Sequence, residues 1–273
     1  MAQQLNTKII SADSRQCYKE LNIGVAKPTT NELAVVQHYF INSHSINENV
    51  NAGIFEKYAL EKVCEIFDEK DVAVMVGGTG LYINAFCNGI DEMPIVPIEI
   101  RNNIILNYKK LGLNWLQSEV QTKDFLFWQT AEQNNPQRLM RALEIVEFTG
   151  NSITTYKKNS ITERPFNIIK VGLELPKEQL YQRINLRVDK MIEEGLVEEV
   201  QHLKQFEHLN ALQTVGYKEL FDFMNNKMSR IESIEKIKIN TRHYAKRQMT
   251  WFKKDATIKW INPNNSFDLN SIL

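Results

Sequence analysis

The chain has 273 residues, 43% hydrophobic and 24% charged, an ordinary globular composition that excludes wholesale disorder. Lys plus Arg and Asp plus Glu are equal at 33 each, so net charge alone points to no nucleic-acid partner. No run approaches the roughly 20 apolar residues of a membrane span, and MAQQLNTK lacks the apolar stretch of a secretory signal, so a cytoplasmic protein with no membrane partner is expected. Three scattered cysteines (Cys17, Cys64, Cys87) and five histidines without ligand spacing suggest neither a disulfide framework nor a zinc site.

In chain order, MAQQLN reads as the last turns of a helix, and Lys8 to Ala12 as a buried strand with Asp13 at its C-terminal edge. From Ala52 to Phe67, apolar residues at Phe55, Ala59, Leu60, Val63, Ile66 and Phe67 have helical spacing. DVAVMVGGTGLYINAF then gives a strand, the glycine turn Gly77-Gly78-Thr79-Gly80 and a helix, which is a βα unit. Residues 98–161, entered through Pro94 and Pro97, carry helical patterns such as IRNNIILNYKKLG and QRLMRALEIVEFTG, and read as a helical insert between core segments 1–97 and 162–273. Asn167 to Leu175 reads as a third strand, and the chain is helical again from Pro176. The alternation predicts an α/β fold with one parallel sheet covered on both faces.

Ligands of open parallel sheets bind outside the carboxyl ends of the strands. Asp13 is placed there, with Ser14, Arg15 and Gln16 on the same rim. Its carboxylate could accept a proton or hold a metal-bound water; capping the following turn is the other reading. The glycine turn could offer N–H groups to an anion, or use glycine for steric reasons alone. Arg183 and Arg187, four apart, share a helix face and suit a diphosphate, unless they pair with Glu178 or Asp189. Gln137, Arg138 and Arg141 form a similar cluster, and arginine both binds phosphate and stacks on bases. Lys236, Lys238, Arg242, Lys246, Arg247, Lys253, Lys254 and Lys259 face one acid, Asp255, across their stretch. That is either the footprint of a phosphate-bearing partner or a solvated helix face. Tyr244, Trp251 and Phe252 within it read as core.

In series, IISADSRQCYKELNIGVAKP, VGGTGLY, NPQRLMRALE, LYQRINLRVDKMIEEGL, TVGYKEL and TRHYAKRQMTWFKK resemble the tRNA dimethylallyltransferase (tRNA isopentenyltransferase) family along essentially the whole chain. The resemblance implies a P-loop-type parallel sheet core flanked by helices, with an insert that grips a tRNA anticodon stem-loop. It implies transfer of a dimethylallyl group from dimethylallyl diphosphate to the exocyclic amine of the adenosine 3′ of the anticodon. Asp13 would be the general base, and Arg187 with its neighbour Arg183 would hold the diphosphate. Ser14, Arg15, Gln16, Thr79, Arg101, the stretch Gln137, Arg138, Leu139, Met140, Arg141, and the stretch Gln213, Thr214, Val215, Gly216, Tyr217, Lys218 would contact tRNA. Relatives of the family that prenylate a free adenine nucleotide share part of the pattern, and a non-catalytic RNA stem-loop module is the alternative outside enzymology. A monomer is expected.

There is one departure. Family members carry a glycine-rich phosphate loop ending in Gly-Lys-Ser/Thr ahead of the Asp13 motif, and no such motif occurs in these 273 residues. The resemblance places the hydroxyl ligand of Mg²⁺ in that loop. The expected sheet therefore lacks its first strand and phosphate loop, a truncated or misassigned start is the expected cause, and little or no activity is expected of the chain as written.

Overall fold

The computed structural model describes residues 1–158 and 161–265. Strand β1 (Ile9–Ser11) lies at the centre of a three-stranded parallel sheet, between β2 (His38–Tyr39) and β3 (Val74–Val76). Ile10 pairs with Tyr39 on one side and Met75 on the other. The β1–β3 ladder continues past the strand through Ala12 N–H to Val76 O at 2.7 Å. Ile10 and Ala12 are fully buried, as a central parallel strand requires. Helix α1 (Thr30–Val35) opens on a Thr29/Glu32 capping box. Helix α2 (Ala52–Phe67) has the limits its apolar spacing predicts, is capped by Asn51, and buries Ala52, Phe55, Ala59, Val63 and Ile66. Phe55 stacks on Tyr82 of α3 (Gly80–Asn88), with ring centroids 4.6 Å apart. Residues 1–6 form turns rather than the tail of a helix, with Leu5 N–H on Met1 O and Thr7 N–H on Ala2 O.

The chain divides into two compact units, residues 1–88 with 163–273, and residues 89–162. The second unit holds α4 (Ile98–Lys123), α5 (Phe125–Trp128) and α6 (Pro136–Thr149). It begins at Gly89, earlier than the prolines suggest, because Met93 and Val96 pack on its core and Pro94 O accepts a bond from Arg141. That core is built on Ile104, Leu116, Val120, Leu139, Leu143 and Ile145. Gly112 interrupts α4 with φ 79° and ψ −171°, so two helical segments meet at a kink. Buried Asp124 accepts from Phe127 N–H at 3.0 Å and Ile153 N–H at 3.1 Å, tying α5 to the turn Ile153–Tyr156.

Back in the first unit, β4 (Val171–Leu173) pairs in parallel with β5 (Lys259–Ile261). These two form a separate sheet, so the expectation of a single parallel sheet is corrected: among the described residues the strands fall into two. Apolar content marks a strand but says nothing of its neighbour. Between β4 and β5 run α7 (Lys177–Glu193), α8 (Leu196–His202), α9 (Tyr217–Met224) and α10 (Arg230–Phe252). Among the described residues no helix is long and apolar enough to cross a membrane.

Lys170 donates to Asp255 Oδ2 at 2.7 Å, linking the segments that lead into β4 and β5. This bond, helped by Thr257, holds the Asp255 carboxyl down at about 2 against an ordinary 3.8. A depressed carboxyl contributes stability above its unfolded value and loses it as pH falls through the folded one. Asp255→Asn should therefore melt lower than the parent chain at about pH 7, with the gap closing between about pH 4 and 2. Thermal melts across that range test this, and a gap independent of pH would refute it.

Candidate functional site

The turn after β1 is organised by Asp13. Its Oδ1 accepts from Arg15 N–H at 2.8 Å and Gln16 N–H at 3.2 Å. Asp13 therefore caps its own turn, as one reading of the sequence has it. Among the described residues Oδ2 takes no hydrogen bond, and the side chain is only half-buried. One oxygen fixes the carboxylate while the other keeps its lone pairs. Ser14 N–H donates to Thr79 Oγ1 at 3.0 Å, and the two hydroxyls are 3.3 Å apart, so the Asp13 turn and the glycine turn share one rim. Arg15 Nη1 donates to Asn210 O at 2.9 Å. Gln16 spans inward: Ser11 Oγ donates to its Oε1, and its Nε2 reaches Val25 O and Ala26 O. Burial, then Asp13, pushes the neighbouring Cys17 thiol up to about 12, which rules it out as a nucleophile near neutral pH.

In the glycine turn, Thr79 N–H is already committed to Ala12 O at 3.2 Å. Helix α10 covers this turn: Gln248 Nε2 donates to Gly78 O at 2.8 Å, Trp251 lies against Gly80, and Tyr244 lies near Thr79. Burial raises the Tyr244 phenol, and Asp13 raises it further. Tyr244 and Trp251 are 41% and 43% exposed, which corrects the expectation that they are core. They line the rim of the site, with Arg247 over the Tyr244 ring at 5.6 Å. Motif reading missed this face, although positions 244, 248 and 251 have the spacing of one helix side.

Arg183 and Arg187 are both exposed on α7, flanking its buried stripe of Ile184 and Val188. Neither pairs with Glu178 or Asp189: Arg183 donates to Asn264 Oδ1 at 2.8 Å, and Asp189 binds Lys238. Arg183, Lys177, Lys246 and Lys253 line a cavity of about 990 Å³, together with Tyr181 and Trp260. Glu174 shares that lining and Arg187 is not part of it, so the cavity takes up one of the two arginines expected on the diphosphate. The basic stretch is partly neutralised, since Lys238 is paired with Asp189 and Lys253 with Glu174.

In the second unit, Arg101 and Arg141 converge on Glu144, a carboxylate whose side chain is 2% exposed, at 3.2 and 3.1 Å. Gln137 and Arg138 are exposed at the start of α6. Leu139 and Met140 are buried in the unit's core, which corrects their assignment to an RNA-contacting face. A motif is a continuous string, whereas helix faces alternate. Arg141→Ala leaves Glu144 with Arg101 alone and removes the bond to Pro94 O. It should cost about 1–2 kcal/mol of stability, so a melting curve must accompany any measured loss of RNA binding. An unchanged melting temperature would show the pairing to be inert.

The stretch from Gln213 to Lys218 follows the same rule. Gln213 and Lys218 are exposed, Thr214 and Val215 half-buried, and Gly216 and Tyr217 buried. Tyr217 is 0% exposed, with its hydroxyl on Glu199 at 2.5 Å, so its side chain is no RNA-facing group.

A family model described as IPP transferase matches residues 16–255. This chain belongs to that family. Asp13, Ser14 and Arg15 precede the matched span, but the match to a tRNA dimethylallyltransferase from Cytophaga hutchinsonii, 41% identical, covers 100% of this chain and 90% of that protein. A tRNA dimethylallyltransferase from Christiangramia forsetii is 47% identical over 272 residues, 98% of this chain and 90% of that protein. The tRNA dimethylallyltransferase 1 of Bacteroides thetaiotaomicron is 41% identical over 269 residues, 98% of this chain and 87% of that protein. Among solved structures, the full-length tRNA isopentenylpyrophosphate transferase of Bacillus halodurans superposes with a TM-score of 0.69 at 32% identity, over 99% of this chain and 86% of that one. A eukaryotic dimethylallyltransferase acting on tRNA superposes at 0.73 over 99% of this chain and 71% of that one; at 23% identity it speaks for the fold alone. Membership of the family agrees with the resemblance carried by the Asp13 motif and its companions.

Proposed function

We propose that this chain is a tRNA dimethylallyltransferase, moving a dimethylallyl group from dimethylallyl diphosphate to the exocyclic amine of the adenosine 3′ of the anticodon. The observation that carries the chemistry is Asp13, held through Oδ1 with Oδ2 left over. An adenine amine is a weak nucleophile because its lone pair is delocalised into the ring. The allylic carbon compensates by carrying positive charge as diphosphate leaves. Asp13 Oδ2 takes the amine proton as the new C–N bond forms, and Arg183 and Arg187 meet the departing negative charge. Ser14, Arg15, Gln16, Thr79, Gln213, Thr214 and Lys218 form the RNA-facing rim of this unit, and Arg101, Gln137, Arg138 and Arg141 that of the other. The base must leave its stack to reach Asp13, at a cost of a few kcal/mol, which accounts for contacts dispersed beyond the reacting atoms.

Mg²⁺ would arrive with the diphosphate and would offset part of its negative charge. No three metal-ligating side chains cluster among the described residues. An ion that arrives on a substrate's phosphates needs no dedicated cage of side chains. We place the enzyme in the cytoplasm, as a monomer. Mass spectrometry of tRNA after incubation with dimethylallyl diphosphate and Mg²⁺ tests the reading. It also tests the expected impairment of these 273 residues: near-normal turnover would overturn that, while no product even with a phosphate loop supplied would overturn the function.

The exposed cations Lys236, Lys246, Arg247 and Lys254 on and beside α10 favour a second reading, a non-catalytic RNA stem-loop binder. Affinity falling steeply with salt and no prenyl transfer would support it. Transfer to a free adenine nucleotide is separated by competition between nucleotide and stem-loop.

A further inference from the structure

Glu199 lies on α8, outside every motif considered above. Its carboxylate takes three hydrogen bonds: Ile23 N–H at 2.8 Å, Gly24 N–H at 3.2 Å and the Tyr217 hydroxyl at 2.5 Å. The two amides belong to the single-turn helix Ile23–Val25. That turn is pressed onto Tyr217: a Cβ on Gly24 would lie 2.5 Å from the Tyr217 ring. It ends at Ala26, whose φ of 47° puts an alanine in the left-handed region, a conformation costing about 1 kcal/mol or more. Such a residue persists where its surroundings enforce it.

The carbonyls at this strained end, Val25 and Ala26, accept both bonds of Gln16 Nε2, at 3.2 and 3.1 Å. The other end of the same amide accepts from Ser11 Oγ on β1 at 3.0 Å, and Gln16 N–H holds Asp13 Oδ1. We infer that Glu199 is a positioning residue for Asp13. It fixes the 23–26 turn, the turn fixes the Gln16 amide, and Gln16 aims the carboxylate. Through Tyr217 the same carboxylate ties the Gln213–Lys218 stretch to the Asp13 turn. Lys27 supports the turn from its far side, donating to Tyr18 O at 2.8 Å and Asn42 Oδ1 at 2.6 Å. The turn also closes on itself, with Ala26 N–H on Ile23 O at 2.9 Å and Lys27 N–H on Asn22 O at 3.2 Å, but these bonds do not tie it to α8, which the two bonds to Glu199 do. The importance of this relay rests on the reading of Asp13 as the base.

Hydrogen exchange of the full chain, followed by mass spectrometry, tests the relay without depending on turnover. Glu199→Gln is isosteric but puts an NH₂ group where three donors converge. It should speed exchange about tenfold in residues 22–27 and also in residues 13–17, with α2 unchanged. Faster exchange confined to 22–27, or none in either segment, overturns the inference. If α2 also quickens, the substitution is unfolding the unit, and the milder Glu199→Asp decides by the same comparison. In a turnover assay of the chain supplied with a phosphate loop, Glu199→Gln should lower kcat by a larger factor than it raises KM for the stem-loop. No product from the parent chain even with a phosphate loop supplied would count against the proposed function and leave the exchange result standing.

Discussion

Asp13→Asn should lower prenyl transfer by about 10²- to 10⁴-fold, the range typical of losing a positioned general base, while stem-loop affinity changes by less than about threefold. The substitution is chosen for what it keeps. An asparagine carbonyl in the place of Oδ1 still accepts from Arg15 N–H and Gln16 N–H, so the turn survives. What changes is Oδ2, which becomes an NH₂ group that cannot take a proton from an amine. Asp13→Ala removes both functions and should add a stability loss of about 1 kcal/mol, that of a lost cap. Single-turnover transfer in a chain supplied with a phosphate loop, beside filter binding of the stem-loop, separates the two effects. Asp13→Asn that binds poorly but transfers normally once saturated would make Asp13 an RNA-positioning residue and sink the assignment of the base.

How far the sequence carries depends on the range of the signal. Helix α2 is legible to its ends because its spacing and the Asn51 cap are local. The place of Asp13 at a strand end is legible for the same reason. The division of labour between its two oxygens is not, since it depends on where the following amides turn back. Sheet membership is invisible too: β4 pairs with β5 across about 85 residues of intervening helix and turn. The motif strings mislead where they run through a helix. NPQRLMRALE is one word in sequence, yet Leu139 and Met140 face the core while Arg138 faces out. Glu199 falls in an unexceptional helix, LVEEVQH, and its partners at 23, 24 and 217 meet only in the folded chain. Positions 244, 248 and 251 were legible in principle, because their helical spacing gathers Tyr, Gln and Trp on one side. An aromatic run invites a core assignment, but the glycine turn beneath it needs a polar cover: Gly78 O is satisfied by Gln248.

Gly77→Ala should cost about 3 kcal/mol or more, beyond the usual overpacking range, because the clash is with backbone. A Cβ at Gly77 would lie 2.4 Å from the carbonyl carbon and oxygen of Ala12 and 2.8 Å from its Cα. Side chains relieve such contacts by changing rotamer; a main chain in a sheet cannot. Ala12 is held on both sides of the clash, its N–H on Val76 O at 2.7 Å and its carbonyl accepting from Thr79 N–H at 3.2 Å. Relief therefore requires β1 and β3 to separate at their C-terminal ends, and Asp13 is the next residue along. The substitution should lower the denaturation midpoint and also lower turnover in the fraction that folds. Gly53→Ala is the control. It lies near the start of α2, where a Cβ meets nothing closer than Asn51 Oδ1 at 3.4 Å, and it should be neutral or stabilise by up to about 1 kcal/mol. Urea denaturation shows a loss for Gly77→Ala and none for Gly53→Ala if the close approach to Ala12 is what requires glycine. A Gly77→Ala protein as stable as its parent would mean that β1 and β3 part at no cost, and that the glycine turn serves its exposed N–H groups rather than the closeness of the two strands.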